Sequence, residues 1–324
     1  FSLTFHHKFS EPVKQWWPQK GTGDYYMTLF HHDRILHDRR LVTFSGGNTT
    51  IRIDSLGFLH YASVSLGSPV KTFLVALDTG SDLFWVPCDC SQCALDVELS
   101  VYSPNASTTS RHVSCNSSLC QNKCSGTSHC PYKVAYISDD TSSSGILVDD
   151  VLYLTTEDEI IKARIIFGCG QVQTGSFLGA AAPNGLLGLG MEKISVPSIL
   201  SDQNLTADSF SMCFGQDGIG RINFGDKGSS NQAQTPFNVN PMYNITITEL
   251  HVGAQIDTEF NALVDSGTSF TYFADPVYSN ISESFNSQTQ DKRDTQIPFE
   301  YCYDISSDKN LTMIPNITLT MKGG

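Results

Sequence analysis

Residues 77–81 read Leu-Asp-Thr-Gly-Ser, and residues 264–268 read Val-Asp-Ser-Gly-Thr. Each stretch follows an apolar run, and its aspartate lies 11 residues after Gly67 in the first case and 12 residues after Gly253 in the second. At average composition, one Asp-[Thr/Ser]-Gly-[Ser/Thr] arises by chance in about one chain in fifty of this length. Two copies in the same setting indicate an internal repeat, which predicts two similar lobes that each present one carboxylate.

The residue types in the two stretches suit a pair of reactive carboxylates. A buried aspartate at a strand end is costly unless it is hydrogen-bonded, and Gly80 and Gly267 let the backbone turn so that its N–H points at the carboxylate. If the lobes face each other, Asp78 and Asp265 become neighbours that share one proton, because two adjacent carboxyl groups do not both ionise easily. The charged member can then take a proton from water while the protonated member donates to a peptide carbonyl. This chemistry needs no metal, cofactor or covalent intermediate.

The composition excludes several classes of protein. Of the 324 residues, 40% are hydrophobic and 16% are charged, which is enough apolar material for a packed core and excludes intrinsic disorder. The net charge is −13, whereas a general nucleic-acid binder needs a basic face. No window of about 18 residues is uninterruptedly apolar, so the sequence predicts no transmembrane segment.

Cysteine usage and glycosylation sequons predict a protein of the secretory pathway. Seven of the ten cysteines lie within residues 88–130, which we interpret as a disulfide-stapled surface insert. The alternative is a zinc site on Cys88, Cys90 and Cys93, but regularly spaced histidine partners are missing, so we predict no metal. About three Asn-x-Ser/Thr sequons would arise by chance. The chain carries eight, which are predicted glycosylation sites: Asn48, Asn105, Asn116, Asn204, Asn244, Asn280, Asn310 and Asn316.

From residue 56 onward the pattern is that of an all-β protein. Helical periodicity is limited to residues 195–203 and 276–286, the second with Pro276 at its first helical position. The polar stretch Gly225–Pro236 is interpreted as a linker between the two halves. Short runs rich in branched and aromatic residues predict strands at Leu59–Leu66, Thr72–Leu77, Tyr132–Ile137, Ile146–Leu154, Arg164–Phe167, Arg221–Phe224 and Tyr243–Leu250.

These features resemble the pepsin-like aspartic peptidases, and more closely their plant nepenthesin-like branch, in which a cysteine-rich insert follows the first catalytic loop. The resemblance spans residues 56–324 and implies a bilobal all-β fold with Asp78 and Asp265 as the catalytic pair. Only 59 residues follow Asp265, so we expect the second lobe to be C-terminally truncated and Cys302 to lack its disulfide partner.

The resemblance also assigns supporting roles inside the two loops. It implies that Ser81 and Thr268 hydrogen-bond the outer carboxylate oxygens of the two aspartates. Thr79 and Ser266 are expected to form an interlocked hydroxyl pair beneath them, with Ser266 lacking the methyl group of a threonine.

A substrate-covering flap is a further implication. Tyr136 resembles the flap tyrosine that closes over substrate, and Trp85 resembles the tryptophan that supports it. The alternative for Tyr136 is a strand tyrosine in the core. Residues 137–145 are one residue longer than the common flap pattern and carry two aspartates at the tip. Leu186-Leu187-Gly188 matches the strand that passes under the first loop, and the surrounding glycines lack the companions of a phosphate-binding loop.

The predicted organisation has three parts: a propeptide-like segment at 1–55, an N-terminal lobe at 56–230 and a partial C-terminal lobe at 231–324. The first segment holds seven Lys/Arg against five acids, whereas the rest of the chain holds 13 against 28. We therefore expect a basic arm on an acidic body, released when acid protonates the carboxylates and its histidines. The alternative is an ordinary charged extension. The five histidines are His6, His7, His31, His32 and His37.

The sequence thus predicts a monomeric aspartic endopeptidase, made as a zymogen, that binds an extended polypeptide at acid pH. No motif of a serine hydrolase or zinc peptidase is present. The alternatives are a catalytically silent binding or inhibitor protein on the same scaffold and a structural wall glycoprotein. We expect an extracellular, cell-wall or vacuolar location, with membrane anchoring left open.

Overall fold

The computed structural model describes most of the chain from residue 59 onward and a short piece near the start. The residues described are 2–6, 22, 59–94, 100–121, 124, 128–136, 140–155, 160–179, 182, 184–214, 219–238, 241–268, 271–289, 301–303 and 315–323. Most of the predicted propeptide-like segment therefore lies outside the described residues.

The described elements are fifteen strands, two α-helices and two 3₁₀ helices. The helices are α1 (Val196–Asp202) and α2 (Val277–Gln288), with 3₁₀ turns at Pro104–Ala106 and Gly175–Gly179. The strands are β1 (Ser2–His6), β2 (Tyr61–Leu66), β3 (Lys71–Asp78), β4 (Trp85–Gln92), β5 (Arg111–His112), β6 (Pro131–Ala135), β7 (Ser142–Thr155), β8 (Ile160–Thr174), β9 (Leu186–Gly188), β10 (Phe210–Phe214), β11 (Ile219–Phe224), β12 (Asn244–Val252), β13 (Ala254–Ile256), β14 (Phe260–Leu263) and β15 (Ile317–Met321).

The first half of the chain forms one large sheet. Its strand order is β10-β11-β1-β2-β3-β9-β4-β8-β7-β5, and β6 pairs with β7. The last four residues of β3 are all buried, because β2 lies on one side and β9 on the other. A strand held between two neighbours has a fixed end. The loop Asp78–Ser81, which we call the first acidic loop, therefore begins from a rigid position; Asp265–Thr268 is the second acidic loop.

The N-terminal segment contributes a strand to this sheet. Residues Ser2–His6 pair antiparallel with β11 along their whole length and meet β2 at two positions. Since β1 lies between β11 and β2, the beginning of the predicted propeptide-like segment is hydrogen-bonded into the body of the protein. Its separation from β2 by more than fifty residues makes the pairing hard to predict from local sequence.

The second half forms a smaller, four-stranded sheet. In this sheet β13, β14 and β15 each pair with β12. A small apolar cluster, Leu250, Val252, Val277 and Ile281, packs helix α2 onto β12. The predicted linker Gly225–Pro236 runs between the two sheets largely without regular structure and mostly exposed.

Four disulfides hold the first half together. Cys88–Cys169 joins β4 to β8, and Cys90–Cys93, Cys115–Cys124 and Cys120–Cys130 lie within the cysteine-rich insert. The prediction of an insert cross-linked by disulfides is therefore confirmed. The three cysteines of the zinc alternative are in disulfide bonds, so they do not provide thiolate ligands. Cys213 and Cys302 lie outside these four disulfides.

The predicted helices are confirmed with one correction. Helix α1 begins after Ser195, whose hydroxyl accepts from the Ser198 amide as an N-cap. Helix α2 begins at Val277, so Pro276 is its N-cap residue rather than its first helical residue. The all-β prediction agrees with the observed architecture, in which strands predominate.

Candidate active site

The first acidic loop is placed by the end of β3. Asp78 is the last residue of this strand and pairs with Gly188 of β9, which runs parallel to it. Gly188 is tightly enclosed, because a Cβ there would overlap the Asp82 backbone. The Asp78 side chain is 5% exposed, and it accepts from the Gly80 amide at 2.9 Å and from the Ser81 hydroxyl at 2.5 Å.

The second acidic loop repeats the pattern of the first. Asp265 lies two residues after β14 and accepts from the Gly267 amide at 2.8 Å. The Thr268 hydroxyl donates to the other carboxylate oxygen at 2.5 Å. Each aspartate therefore uses the glycine two residues later and the hydroxyl three residues later. The second loop is more open, since Asp265 is half-buried and Thr268 is exposed.

The two loops are tied together by reciprocal hydrogen bonds at their second residues. The Thr79 amide donates to the Ser266 hydroxyl at 3.1 Å, and the Ser266 amide donates to the Thr79 hydroxyl at 2.9 Å. Each hydroxyl also donates across to the other loop: Thr79 to the Val264 carbonyl and Ser266 to the Leu77 carbonyl, both at 2.9 Å. These four bonds fix the spacing of the two loops across nearly 190 residues of sequence.

The two carboxyl groups are close neighbours. A Cβ on Gly267 would meet Oδ1 of both Asp78 and Asp265. Gly80 packs against Asp265, where a Cβ would lie 2.7 Å from its Oδ1, and Gly267 packs as tightly against Asp78. Burial and, next, the Asp265 charge raise the pKa of Asp78 to about 7. The raised pKa keeps the Asp78 carboxyl protonated at pH values where an exposed aspartate is ionised.

An aromatic group lies beside the first loop. The Trp85 indole donates to the Tyr136 hydroxyl at 2.8 Å. Phe177, in the 3₁₀ turn, packs edge-on against both rings, at 4.9 Å from Trp85 and 5.0 Å from Tyr136. Burial and then the Asp78 charge raise the pKa of the Tyr136 phenol, so the phenol stays neutral and can donate a hydrogen bond.

A cavity of about 880 Å³ borders the second loop on the side of the reciprocal hydrogen bonds. Its lining includes Thr79, Asp265 and Ser266, and its walls are mainly apolar side chains such as Phe210, Met212 and Phe237. Within the described ranges no group of three or more His, Cys, Asp or Glu is arranged to hold a metal ion.

Three residues near the site were not predicted from sequence. Phe177 packs under Tyr136, and Thr141 and Ser176 hydrogen-bond each other next to it. A phenylalanine and two hydroxyl residues carry no motif of their own. Thr141 and Ser176 are 35 residues apart in sequence and come into contact only in the folded structure, so no signal in the sequence indicates them.

The predicted glycosylation sites differ in their surroundings. Asn244 is half-buried at the start of β12, and its side-chain oxygen accepts from Asn238 at 2.8 Å. Asn48 and Asn310 lie outside the described residues. Exposed side chains are found at Asn105, Asn116, Asn204, Asn280 and Asn316.

Comparison with known proteins assigns the family. Two adjacent family profiles match, described as Xylanase inhibitor N-terminal over residues 60–226 and Xylanase inhibitor C-terminal over residues 243–324. The chain is 52% identical over its full length to Aspartyl protease family protein 1 of Arabidopsis thaliana, covering 70% of that protein. The chain belongs to the pepsin-like aspartic peptidase family.

Other members of the aspartic peptidase family match over most of the chain. Aspartic proteinase-like protein 1 of Arabidopsis thaliana is 37% identical over 92% of this chain and 63% of its own length. Aspartic proteinase nepenthesin-1 of Nepenthes gracilis is 29% identical over 82% of this chain and 64% of its own length. The chain thus spans between 63% and 70% of these three relatives.

Proposed function

We propose that the protein is an aspartic endopeptidase that hydrolyses peptide bonds at acid pH with Asp78 and Asp265 as its catalytic pair. The proposal rests on one observation: two aspartates 187 residues apart in sequence are neighbours, and each is held by equivalent donors, a glycine amide and a hydroxyl group. A carboxyl pair of this kind suits acid–base chemistry in which one member acts as base and the other as acid.

The reaction follows from the shared proton. The charged carboxylate takes a proton from a water molecule lying between the two aspartates, and the water oxygen forms a bond to the peptide carbonyl carbon. The protonated carboxyl gives its proton to the carbonyl oxygen. The resulting tetrahedral intermediate breaks its C–N bond as the nitrogen receives the proton taken from water. One hydroxyl of the intermediate returns its proton to the carboxylate that had donated one, so the carboxylic acid product forms and the pair again holds one proton. The Gly80 and Ser81 donors, with Gly267 and Thr268, hold the carboxylates in place throughout.

Tyr136 and Trp85 are proposed as substrate-binding residues. Their rings lie beside the Asp78 loop, and the Trp85–Tyr136 hydrogen bond keeps the tyrosine over it. A tyrosine in this position can cover an extended polypeptide and keep bulk water from the catalytic pair.

The proposal includes secretion and activation from a zymogen. The four disulfides and the five exposed sequons support an oxidising, glycosylating compartment, with an extracellular, cell-wall or vacuolar destination. Residues 1–55 act as the protein's own propeptide, supported by the pairing of Ser2–His6 with β11. Acid weakens the attraction between this basic segment and the acidic body, and the chain then cleaves itself between residues 40 and 58 as a monomer. Neither of the two helices in the described part of the chain has the length and hydrophobicity of a membrane-spanning segment.

A catalytically silent binding protein is the second candidate. The two matching family profiles carry the description of xylanase inhibitors, which favours this reading. This candidate predicts a protein that binds a partner beside Asp78 and Asp265 while these two carboxyl groups perform no chemistry.

Cleavage of a denatured protein substrate at about pH 3 to 5 distinguishes the candidates. The proposal predicts cleavage that pepstatin blocks and that Asp78→Asn abolishes. Asp202→Asn, which replaces an exposed aspartate at the end of α1, is the matched control and keeps full activity. A folded, processed wild-type protein without pepstatin-sensitive cleavage would exclude the peptidase.

A further inference from the structure

Thr141, which directly precedes β7 and which we call the return of the flap hairpin, is hydrogen-bonded to the 3₁₀ turn Gly175–Gly179. The Ser176 amide donates to the Thr141 hydroxyl at 3.1 Å, and that hydroxyl donates to the Ser176 hydroxyl at 3.3 Å. Thr141 is 2% exposed and Ser176 is 7% exposed, so water does not replace these bonds easily. We call this pair of residues the Thr141–Ser176 clasp.

Two more contacts strengthen the same junction. The Thr174 hydroxyl donates to the Asp140 carbonyl, and it pairs with the Ser142 hydroxyl at 2.8 Å. Gly175 has a φ of +60°, and a Cβ there would lie 2.7 Å from Thr141 Cα and 2.8 Å from the Asp140 carbonyl oxygen. The hairpin return therefore rests directly on the backbone of the turn, with no room for a side chain between them.

The clasp connects to Tyr136 by two short routes. The Tyr136 amide donates to the Thr141 carbonyl at 2.9 Å, which closes the hairpin at the level of the tyrosine. Phe177 follows Ser176 in the turn and packs edge-on against the Tyr136 ring. Thr141 therefore holds the backbone of Tyr136, and the turn at Ser176 holds the Phe177 ring that supports the Tyr136 side chain. If Thr141 moves relative to Ser176, these two supports no longer match.

We infer that Thr141 is a positioning residue: through the Thr141–Ser176 clasp it holds Tyr136 in its substrate-covering place before substrate arrives. This inference rests on the proposed peptidase function and deepens it. The hydrogen bonds described above join Thr141 to Ser176 and to the Tyr136 amide, so its effect on the site is expected to act through the position of Tyr136.

The expected kinetic signature follows from when Tyr136 is held in place. Without the clasp, substrate binding must fix the position of Tyr136, and this cost falls equally on the bound complex and the transition state. The Michaelis constant rises while kcat stays the same. A variant that was merely misfolded in part would show the opposite, because a smaller active fraction lowers the measured kcat and leaves KM unchanged.

The test uses four variants of the purified protein. Thr141→Val keeps the shape and removes the hydroxyl, Thr141→Ser keeps the hydroxyl, and Gly175→Ala forces the junction apart. The control is Ser143→Ala, which removes a different buried hydroxyl pair in the same hairpin, the 2.8 Å contact with Tyr132. KM and kcat on a peptide substrate, and the inhibition constant of pepstatin, are measured for each.

We expect Thr141→Val to raise KM and the inhibition constant of pepstatin about fivefold to tenfold while kcat is unchanged. Gly175→Ala should raise both constants further. Thr141→Ser and Ser143→Ala should keep both constants near the wild-type values. An unchanged KM in Thr141→Val, a loss confined to kcat, or an equal effect in Ser143→Ala would overturn the inference. Hydrogen exchange at the Tyr136 amide gives a readout without catalysis. It should speed up about tenfold in Thr141→Val, and an unchanged rate would overturn the inference even if the wild-type protein cleaved nothing. A wild type that cleaves nothing would count against the proposed function alone.

Discussion

Replacing Asp78 by asparagine should change how the stability of the protein depends on pH. Burial and the neighbouring Asp265 charge raise the pKa of Asp78 from 3.8 to about 7 in the folded protein. In the unfolded chain this carboxyl titrates at its ordinary value. Between the two values the folded state keeps a proton that the unfolded state releases, so the wild-type protein loses stability as pH rises through this window.

The size of the effect follows from the shift. A rise of about three pH units in pKa corresponds to about 4 kcal/mol at 1.36 kcal/mol per unit. Asparagine carries no titrating proton, so Asp78→Asn is free of this loss. Most of this loss falls between pH 4 and pH 7, so we expect the free energy of unfolding of Asp78→Asn, relative to wild type, to rise by about 3 kcal/mol over that range.

Urea unfolding followed by tryptophan fluorescence measures this difference at each pH, with gel electrophoresis confirming that the chains remain intact. Asp202→Asn, which replaces an exposed aspartate, is measured over the same range as the control. A difference for Asp78→Asn that is constant from pH 4 to pH 7 would refute the reasoning, because the carboxyl would then have the same proton affinity folded and unfolded.

Two further predictions concern other parts of the structure. Asp150 is fully buried, and although burial alone would raise its pKa, donors from Ser107, Thr109, Tyr102 and the Val151 amide lower it below the ordinary value. Asp150→Asn should therefore lower the free energy of unfolding by about 3 kcal/mol at neutral pH. This loss should become smaller as pH falls through the lowered pKa of Asp150. Denaturant titrations measure it, and an equal loss at neutral and strongly acid pH would contradict the prediction. Ser266→Ala removes the acceptor of the Thr79 amide and the donor to Leu77, so it should cost about 2 kcal/mol and most of the activity, whereas Ser266→Thr keeps both bonds. Calorimetry with an activity assay tests this pair, and a fully active, equally stable Ser266→Ala protein would be inconsistent with coupled loops.

The acidic loops were the most predictable part of the site because their information is local. The strand, the turn-forming glycine and the hydroxyl residue lie within five positions of each aspartate, and the repetition of this pattern predicts the pairing. The Thr79–Ser266 hydrogen bonds and the Trp85–Tyr136 hydrogen bond have the geometry that the resemblance implies. The residues' catalytic roles stay predictions.

What could not be predicted depends on contacts between distant residues. Strand β1 pairs with β11 across more than two hundred residues, and no pattern in Ser2–His6 specifies that partner. Strand β13 is only three residues long, which is too short for its pattern to be recognised from sequence. Asp150 lies inside the predicted strand Ile146–Leu154, and nothing in the local sequence marks it, because three of its four donors come from the cysteine-rich insert.

The shared proton can be observed directly by following the side-chain carbon signals of ¹³C-labelled aspartates as a function of pH. We predict that the Asp78 carboxyl titrates near pH 7 and that Asp265→Asn lowers its midpoint, since the Asp265 charge is one of the causes of the raised value. An Asp78 midpoint at the ordinary value for aspartate, or one that does not respond to Asp265→Asn, would contradict a carboxyl pair that holds one proton in common.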